Sequence, residues 1–441
     1  MTADTPDRAP TPAMPRRSLW RHPDFLKLWI GDTVSQFGSQ ITALAVPLAA
    51  AIVLQATPAE MGLLAALETL PFLLVSLPAG AWVDRLRRRP ILISGDLVRA
   101  VALLAVPVTA VTGHLSMPVL YVVALVTGIA TVFFDVAYMS YLPSLVDRDQ
   151  LVDGNSKLEL SRSAAQFAGP GIAGALVGWL TAPVAILIDA ISFLFSAVML
   201  SFIRKPEPES APATDPSALR ASILAEIREG LGVVLRNPVL RAIAASIALS
   251  NLFGSMGFAT LILFLTRDQG LGAIEIGLAF GLGNLGAIAG ALVSGRIAKR
   301  LGVGRTLIAT DLVGGLALLA VPLASPAYAL AALVVGFGIS SLLLTAFNIV
   351  QVSLRQSITP DRLQGRMNAT MRFFIWGVMP IGSLLGGGLA TEIGIREAIL
   401  FSYAASLTGV LPLLLRPLRS MREPPPPWQE DEATGQTEAA A

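Results

Sequence analysis

The sequence predicts an all-α integral membrane protein of twelve transmembrane helices, arranged as two pseudo-symmetric six-helix bundles. Three observations carry that expectation. The first is composition: 54% of the 441 residues are hydrophobic and 14% are charged, against about 25% charged in ordinary globular domains. The second is a series of long charge-free windows, comparable to the ~20 residues a helix needs to cross a bilayer. The third is an internal repeat. Composition also excludes several classes. A soluble enzyme, a disordered protein and a nucleic-acid-binding domain are disfavoured together. A net charge of +2 is too small to imply a polyanionic partner. With no cysteine there is no disulfide framework, thiolate metal site or cysteine nucleophile. No metal and no cofactor is expected.

Residues 1–20 are rich in Pro, Ala, Thr and charge and read as a disordered cytoplasmic lead rather than a signal peptide. The spans then follow at about 25–54, 59–83, 90–112, 117–141, 162–181 and 183–203, and at 240–266, 274–298, 304–323, 328–352, 367–391 and 396–415. The second is interrupted only by Glu60 and Glu68. Turns at Thr112-Gly113-His114 and Ser325-Pro326 divide windows long enough for two helices. Residues 417–441, with Pro424 to Pro427 and then acidic and small residues, read as a disordered tail. Of 32 Lys and Arg, only Arg267 and Arg396 stand at the far side of the membrane and Arg99 lies well within a span; the other 29 fall in the termini, the near-side loops or the near-side ends of spans. That asymmetry places both termini in the cytoplasm, in a multi-pass protein of the cell membrane.

Residues 96–107 (DLVRAVALLAVP) and 311–322 (DLVGGLALLAVP) match at nine of twelve positions, 215 apart. Phe134-Asp135 corresponds to Phe347-Asn348, Asp147-Arg148 to Asp361-Arg362, and Arg162 with Pro170 to Arg372 with Pro380. Two related halves, 21–203 and 239–416, are the sequence sign of a pseudo-symmetric transporter. The linker between them, 204–238, is Pro- and Glu-rich at first. It then sets Ile223, Ile227, Leu231 and Val234 on one helical face, the pattern of an amphipathic surface helix.

Between the second and third spans stand Gly80, Asp84, Arg85, Arg88 and Arg89. This stretch resembles the signature G-x-x-x-D-R-x-x-R-R of the major facilitator superfamily, although Arg87 stands where the family often has Gly. Simple anchoring by basic residues is the bland alternative. The resemblance implies the major facilitator fold, and a charge relay between Arg88 and Asp135 that latches the cytoplasmic gate. Gly169-Pro170-Gly171-Ile172-Ala173-Gly174 resembles the G-P-x-x-[GA]-G core of the antiporter motif of the exporters in that superfamily. The bland alternative is a small-residue packing face. Phe25 to Gly38, Leu142 to Val146, Leu187 to Phe193 and Glu229 to Pro238 look like the drug-efflux branch, with its siderophore (enterobactin-type) and macrolide exporters. Val136 and Gly154 depart from that branch.

An acid within a span is costly, by roughly 3 kcal/mol at the centre, and tends to face protein and find a partner. Asp32 and Glu68 are the candidates for proton coupling. Glu68 lies about nine residues into its span, roughly 13 Å deep at 1.5 Å per residue. Asp96, Asp189 and Asp311 read as structural, with Arg99 one turn from Asp96 as its partner. Gln36, Gln40, Asn251, Phe258, Asn284, Asn348 and Trp376 are the candidates for a substrate cavity between the halves.

The expected function is a secondary active transporter that exports a small amphipathic molecule in exchange for protons and acts as a monomer. Uptake of a nutrient or metabolite, and lipid handling on the same fold, remain alternatives. A membrane enzyme is disfavoured, because His22 and His114 are the only histidines and no convergent catalytic set accompanies them. No G-x-x-x-x-G-K-[ST] loop is present, which argues against ATP-driven pumping by this chain.

Overall fold

The computed structural model describes residues 19–83, 86–207 and 228–425. The expectations for residues 1–18 and 426–441, for Asp84 and Arg85, and for Ile223 and Ile227 lie outside the described residues. The expected disordered ends are nevertheless too long: Leu19–Arg21 and Leu418–Ser420 form 3-10 turns, Leu19 and Leu418 are buried, and the Arg422 and Met421 carbonyls accept from Val303 and Gly304 at 3.1 and 2.9 Å. Twelve long helical rods are present among the described residues, besides a short helical segment over 228–236 that carries the buried Val234: α1 (Pro23–Val53), α2 (Pro58–Leu74, resumed as Ser76–Val83), α3 (Arg88–Val111), α4 (Met117–Leu145), α5 (Leu151–Trp179), α6 (Ala182–Ser201), α7 (Pro238–Asp268), α8 (Ala273–Leu301), α9 (Val303–Leu323), α10 (Pro326–Ile358), α11 (Asp361–Ile393) and α12 (Ile395–Ser406, resumed as Val410–Leu413).

Nine of these rods are long and apolar enough to cross a membrane by length and composition. The other three fall short for visible reasons. α2 breaks at Val75, after the internal Pro71, which cannot donate to the helical ladder. α12 is interrupted by a tight turn at Leu407–Gly409. α5 begins at Leu151 rather than near 162, and its first turns carry Asp153, Lys157 and Glu159. Lys157 pairs with Asp153 there, so these turns form a polar extension ahead of the apolar part.

Helix starts are well specified locally. Pro23 and Pro238 occupy the first helical position of α1 and α7, where a missing N–H costs nothing. The His22 ring accepts from the Phe25 N–H at 3.0 Å, and the Asn237 side chain accepts from Val239 and Leu240 at 2.9 and 3.1 Å. Thr57 and Glu60 form a reciprocal capping box at the start of α2.

The two halves repeat one packing scheme. In the first, α1 packs on α5 and α6, α3 on α4 and α6, and α2 on α4. In the second, α7 packs on α11 and α12, α9 on α10 and α12, and α8 on α10. The likeness extends to irregularities: α1 ends in a π-helical turn at Ala49–Val53, and α7 in one at Phe264–Asp268.

With an even number of rods, the first and last described helices begin and end on one face, here termed the terminal face. Hydrophobic packing differs sharply between the two faces. Toward the terminal face each half has its own core. One contains Phe25, Leu28, Phe134 and Tyr141, the other Leu240, Leu307, Phe347 and Leu413. Toward the opposite face a single cluster joins both halves, from Ala45, Leu48 and Met61 to Leu261, Phe264 and Ile276. The halves are therefore fused on the opposite face and part toward the terminal face.

Candidate functional site

The fused face is built where helices approach too closely for side chains. α2 meets α11 at Gly62 and Gly387: a Cβ on Gly62 would lie 2.6 Å from the Ser383 carbonyl oxygen and 2.8 Å from the Gly387 Cα. α5 meets α8 at Gly174 and Gly277: a Cβ on Gly277 would lie 2.4 Å from the Pro170 carbonyl oxygen and 2.7 Å from the Gly174 Cα. Exchanging the halves turns one contact into the other, and Gly62 and Gly277 stand 215 apart, the spacing of the sequence repeat. The Gly169–Gly174 stretch is thus an interface between halves. Its Gly169 also packs on the Gln40 side chain of α1. Arg267 donates to the Ala51 carbonyl at 3.3 Å, so a cation of α7 ties to the carboxyl end of α1, where exposed carbonyls favour it.

Nearer mid-membrane, Phe72 of α2 stacks on Trp376 of α11, with ring centroids 5.0 Å apart. Both helices lose regularity beside this stack, at Val75 and at Val378. Across the other interface, Asn284 of α8 donates to the Gln166 carbonyl of α5 at 2.6 Å. Asn251 donates to the Ile375 carbonyl at 2.9 Å, and Asn348 accepts from Gln351 at 3.4 Å. Phe258 is 54% exposed. Trp376, Asn284 and Gln40 therefore join the halves or touch a helix that does. Asn251 and Asn348 are bound within the second half.

The acids fall into three settings. Glu68 is half-buried on α2, and no described residue donates a hydrogen bond to its carboxylate. Asp32 is buried, accepts from Gln36 at 3.4 Å, and is faced by the Tyr138 hydroxyl. It belongs to a larger cluster. Arg99 and Asp96 pair at 2.5 Å, as their one-turn spacing predicts. The Arg99 guanidinium lies between the rings of Phe134 and Phe193, 4.1 and 4.2 Å from their centroids. Asp189 accepts from Ser192 at 2.9 Å and closely from Thr42 of α1. In the second half Asp311, the counterpart of Asp96, accepts only from Ser250, at 3.3 Å, among the described residues.

Asp135 differs from expectation. It is exposed, and the cations within its electrostatic reach are Arg99, Arg162 and Arg372. Arg162 and Arg372 are the repeat-related pair on α5 and α11. An acid of one half thus feels equivalent arginines of both. The ion pair of Arg88 with Asp135 is not formed among the described residues. Arg88 and Arg89 instead donate their backbone N–H groups to Glu207 at 2.6 and 2.7 Å. A carboxylate is favoured there because the amino end of α3 exposes unpaired N–H groups. The Arg89 side chain reaches back to the carbonyls of Leu200 and Ser201 at the end of α6. This basic stretch therefore fastens α3 to α6. Gly80 lies at the end of α2, with its surroundings outside the described residues.

Sequence reasoning overlooked Arg355 on α10. It is 5% exposed, and its Nε and Nη1 atoms find no partner among the described residues. Periodicity held the signal, since Gln351 and Arg355 sit one turn apart on the buried face of the helix.

Two repeated six-helix halves, fused on one face and parted on the other, with acids in and between them, define a multi-pass membrane transporter. The family model of the Major Facilitator Superfamily matches residues 28–358, and the chain belongs to that superfamily. It is 30% identical over 399 residues to the multidrug efflux pump Tap of Mycolicibacterium fortuitum, covering 87% of this chain and 93% of that protein. It is 25% identical over 420 residues to the enterobactin exporter EntS of Citrobacter koseri, covering 92% and 95%. It is 25% identical over 388 residues to the macrolide efflux protein A of Streptococcus pyogenes, covering 86% and 92%. Among solved structures, a bacterial homologue of the iron transporter ferroportin in its inward-facing state superposes with a TM-score of 0.73 at 20% identity, covering 90% and 99%. That likeness concerns the fold.

Proposed function

We propose that this transporter exports a small amphipathic molecule from the cytoplasm by proton antiport with alternating access. The observation that carries the reading is the contrast between one shared core on the opposite face and two separate cores toward the terminal face. Two bodies joined by close glycine contacts can rock about a central site, and the fused face then opens as the parted face closes. With both termini in the cytoplasm, as the basic residues favour, this geometry faces inward and would load from the cytoplasm. The direction of transport is supported by the relatives, which are a multidrug pump, a siderophore exporter and a macrolide exporter.

Glu68 and Asp32 are the proposed proton carriers. Glu68 stands on α2, one of the four helices at the interfaces between the halves, and lacks a partner that would hold it in one charge state. Asp32 reaches its surroundings through Gln36 and Tyr138. One proton entering down 100 mV releases about 2.3 kcal/mol, enough for roughly a 50-fold gradient of a neutral substrate. The test is transport of a compound panel in proteoliposomes under an imposed pH gradient, comparing wild type with Glu68→Gln and Asp32→Asn. We expect gradient-driven accumulation in wild type, and loss of the gradient dependence with retained substrate binding in one or both variants. Accumulation that ignores the gradient in wild type would overturn proton antiport.

A further inference from the structure

Asp32, Asp96, Arg99 and Asp189 come from α1, α3 and α6 and are 4%, 0%, 6% and 1% exposed. Each acid acts electrostatically on another member of the group: Asp32 on Asp96 and Arg99, and Asp189 on Arg99 and Asp96. This is one cluster rather than three separate acids. Three carboxylates against one guanidinium leave two negative charges in excess. The other ionisable groups facing it are the Tyr138 hydroxyl of α4 and, beyond that, Asp135 of α4 and Arg162 of α5. They supply no buried cation to balance it.

An uncompensated pair of charges in a low-dielectric interior is far costlier than protonation. The hydrogen-bond pattern shows where charge is tolerated. Arg99 is held flat between two aromatic rings, and its guanidinium reaches one Asp96 oxygen. The other Asp96 oxygen and the Ser196 hydroxyl of α6 are both buried and interact with each other, with no further hydrogen-bond partner among the described residues. Asp189 is served by two hydroxyls, Thr42 and Ser192, groups that can either accept a hydrogen bond from a protonated carboxyl or donate one to a carboxylate. Asp32 is the most exposed of the three acids, at 4% against 1% and 0%, and adjoins two half-buried polar side chains, Gln36 and Tyr138, where Asp189 adjoins one, Thr42.

From this geometry we infer that the first half holds a shared proton store in the Asp32–Asp96–Arg99–Asp189 cluster, with Asp32 as its point of exchange. Two bound protons make the cluster neutral. Release of one through Asp32 leaves a single negative charge, which Arg99 stabilises from within the aromatic sandwich. The protons belong to the group rather than to one residue, as in other tightly coupled acids. Asp96 and Asp189 are thereby working members of the store and not only packing elements. The link to transport rests on the proton-antiport reading; the store itself does not.

The test is infrared spectroscopy of the purified full-length protein during pH steps. Isotope labelling confined to aspartate separates its protonated-carboxyl band from that of Glu68. Wild type is expected to show a protonated-aspartate band near neutral pH that loses roughly half its intensity at alkaline pH. Asp32→Asn should abolish that loss and keep a standing band. Asp189→Asn should weaken the standing band and keep the loss. Single substitution of Asp96 strands Arg99, so the paired variant Asp96→Asn with Arg99→Gln provides a neutral replacement of similar shape. With the guanidinium gone, its band should persist unchanged to higher pH. Absence of any protonated aspartate near neutral pH, or a band that all these variants leave unchanged, would overturn the proposal. A normal band in a protein whose transport ignores the pH gradient would sink proton antiport and leave the store intact.

Discussion

At the scale of single residues, Arg99 has the least freedom to change. Its removal leaves Asp96 buried and unpaired and empties the space between Phe134 and Phe193. Breaking a buried pair on one side costs about 3–5 kcal/mol, so Arg99→Ala should lower the thermal midpoint in detergent far more than the paired neutral replacement does. Asp135 is the opposite case. It is exposed and within electrostatic reach of Arg162 and Arg372, two like charges of opposite halves that it offsets. Asp135→Asn should leave stability nearly unchanged and bias the protein toward the state parted at the terminal face, by about 1 kcal/mol for exposed charges. Spin-label distances between α5 and α11 would measure that bias, and an unchanged distribution would refute it. The acids themselves were legible in the sequence, because charges inside long apolar windows are rare. Their partners were not. Arg99 with Asp96 follows from helical spacing. The electrostatic influence of Arg372 on Asp135, and the hydrogen bond of Glu207 at the start of α3, link residues more than a hundred apart, which spacing along one helix does not encode.

Among the elements, α2, α5, α8 and α11 carry the join between the halves. A valine at Gly277 would drive its Cβ into the Pro170 carbonyl and the Gly174 Cα, at a cost of roughly 1–3 kcal/mol for overpacking. Gly277→Val is expected to loosen the fused face, and Gly62→Val to do the same at the related contact with Gly387. The chain has no cysteine, so Asn284→Cys supplies a single reporter at the interface, and because it removes the bond to Gln166 each glycine variant is compared with the Asn284→Cys protein alone. Its labelling from the opposite face should quicken in either glycine variant, and equal rates would refute the gating role of these contacts. Here sequence and structure divide the work unevenly. The Gly169–Gly174 stretch is visible as small residues, yet a packing face and an interface between halves look alike until the partner helix is known. The paired π-helical turns are hidden altogether. Ala49–Val53 and Phe264–Asp268 share no residues, and the common feature lies in how each helix ends against its neighbours. The early start of α5 was missed for another reason: hydropathy finds the apolar part of a helix, and these charged turns precede it.

For the whole molecule, the proposed orientation puts the terminal face in the cytoplasm. Cysteines at Thr112 and Ser420 lie on opposite faces and are both exposed. A membrane-impermeant reagent added to intact cells should label the cysteine at 112 and spare that at 420, and the reverse result would overturn the proposed orientation. The sequence alone determined the membrane character, the even number of rods and their division into two related halves. Those properties are sums over many residues, and apolar length, basic-residue placement and a repeated stretch are all written along the chain. Only the tertiary structure decided where the halves are fused, which acids share one buried cluster, and which arginines face Asp135. These depend on helices distant in sequence meeting at particular depths, and local periodicity specifies a helix's faces without naming the neighbour each will meet.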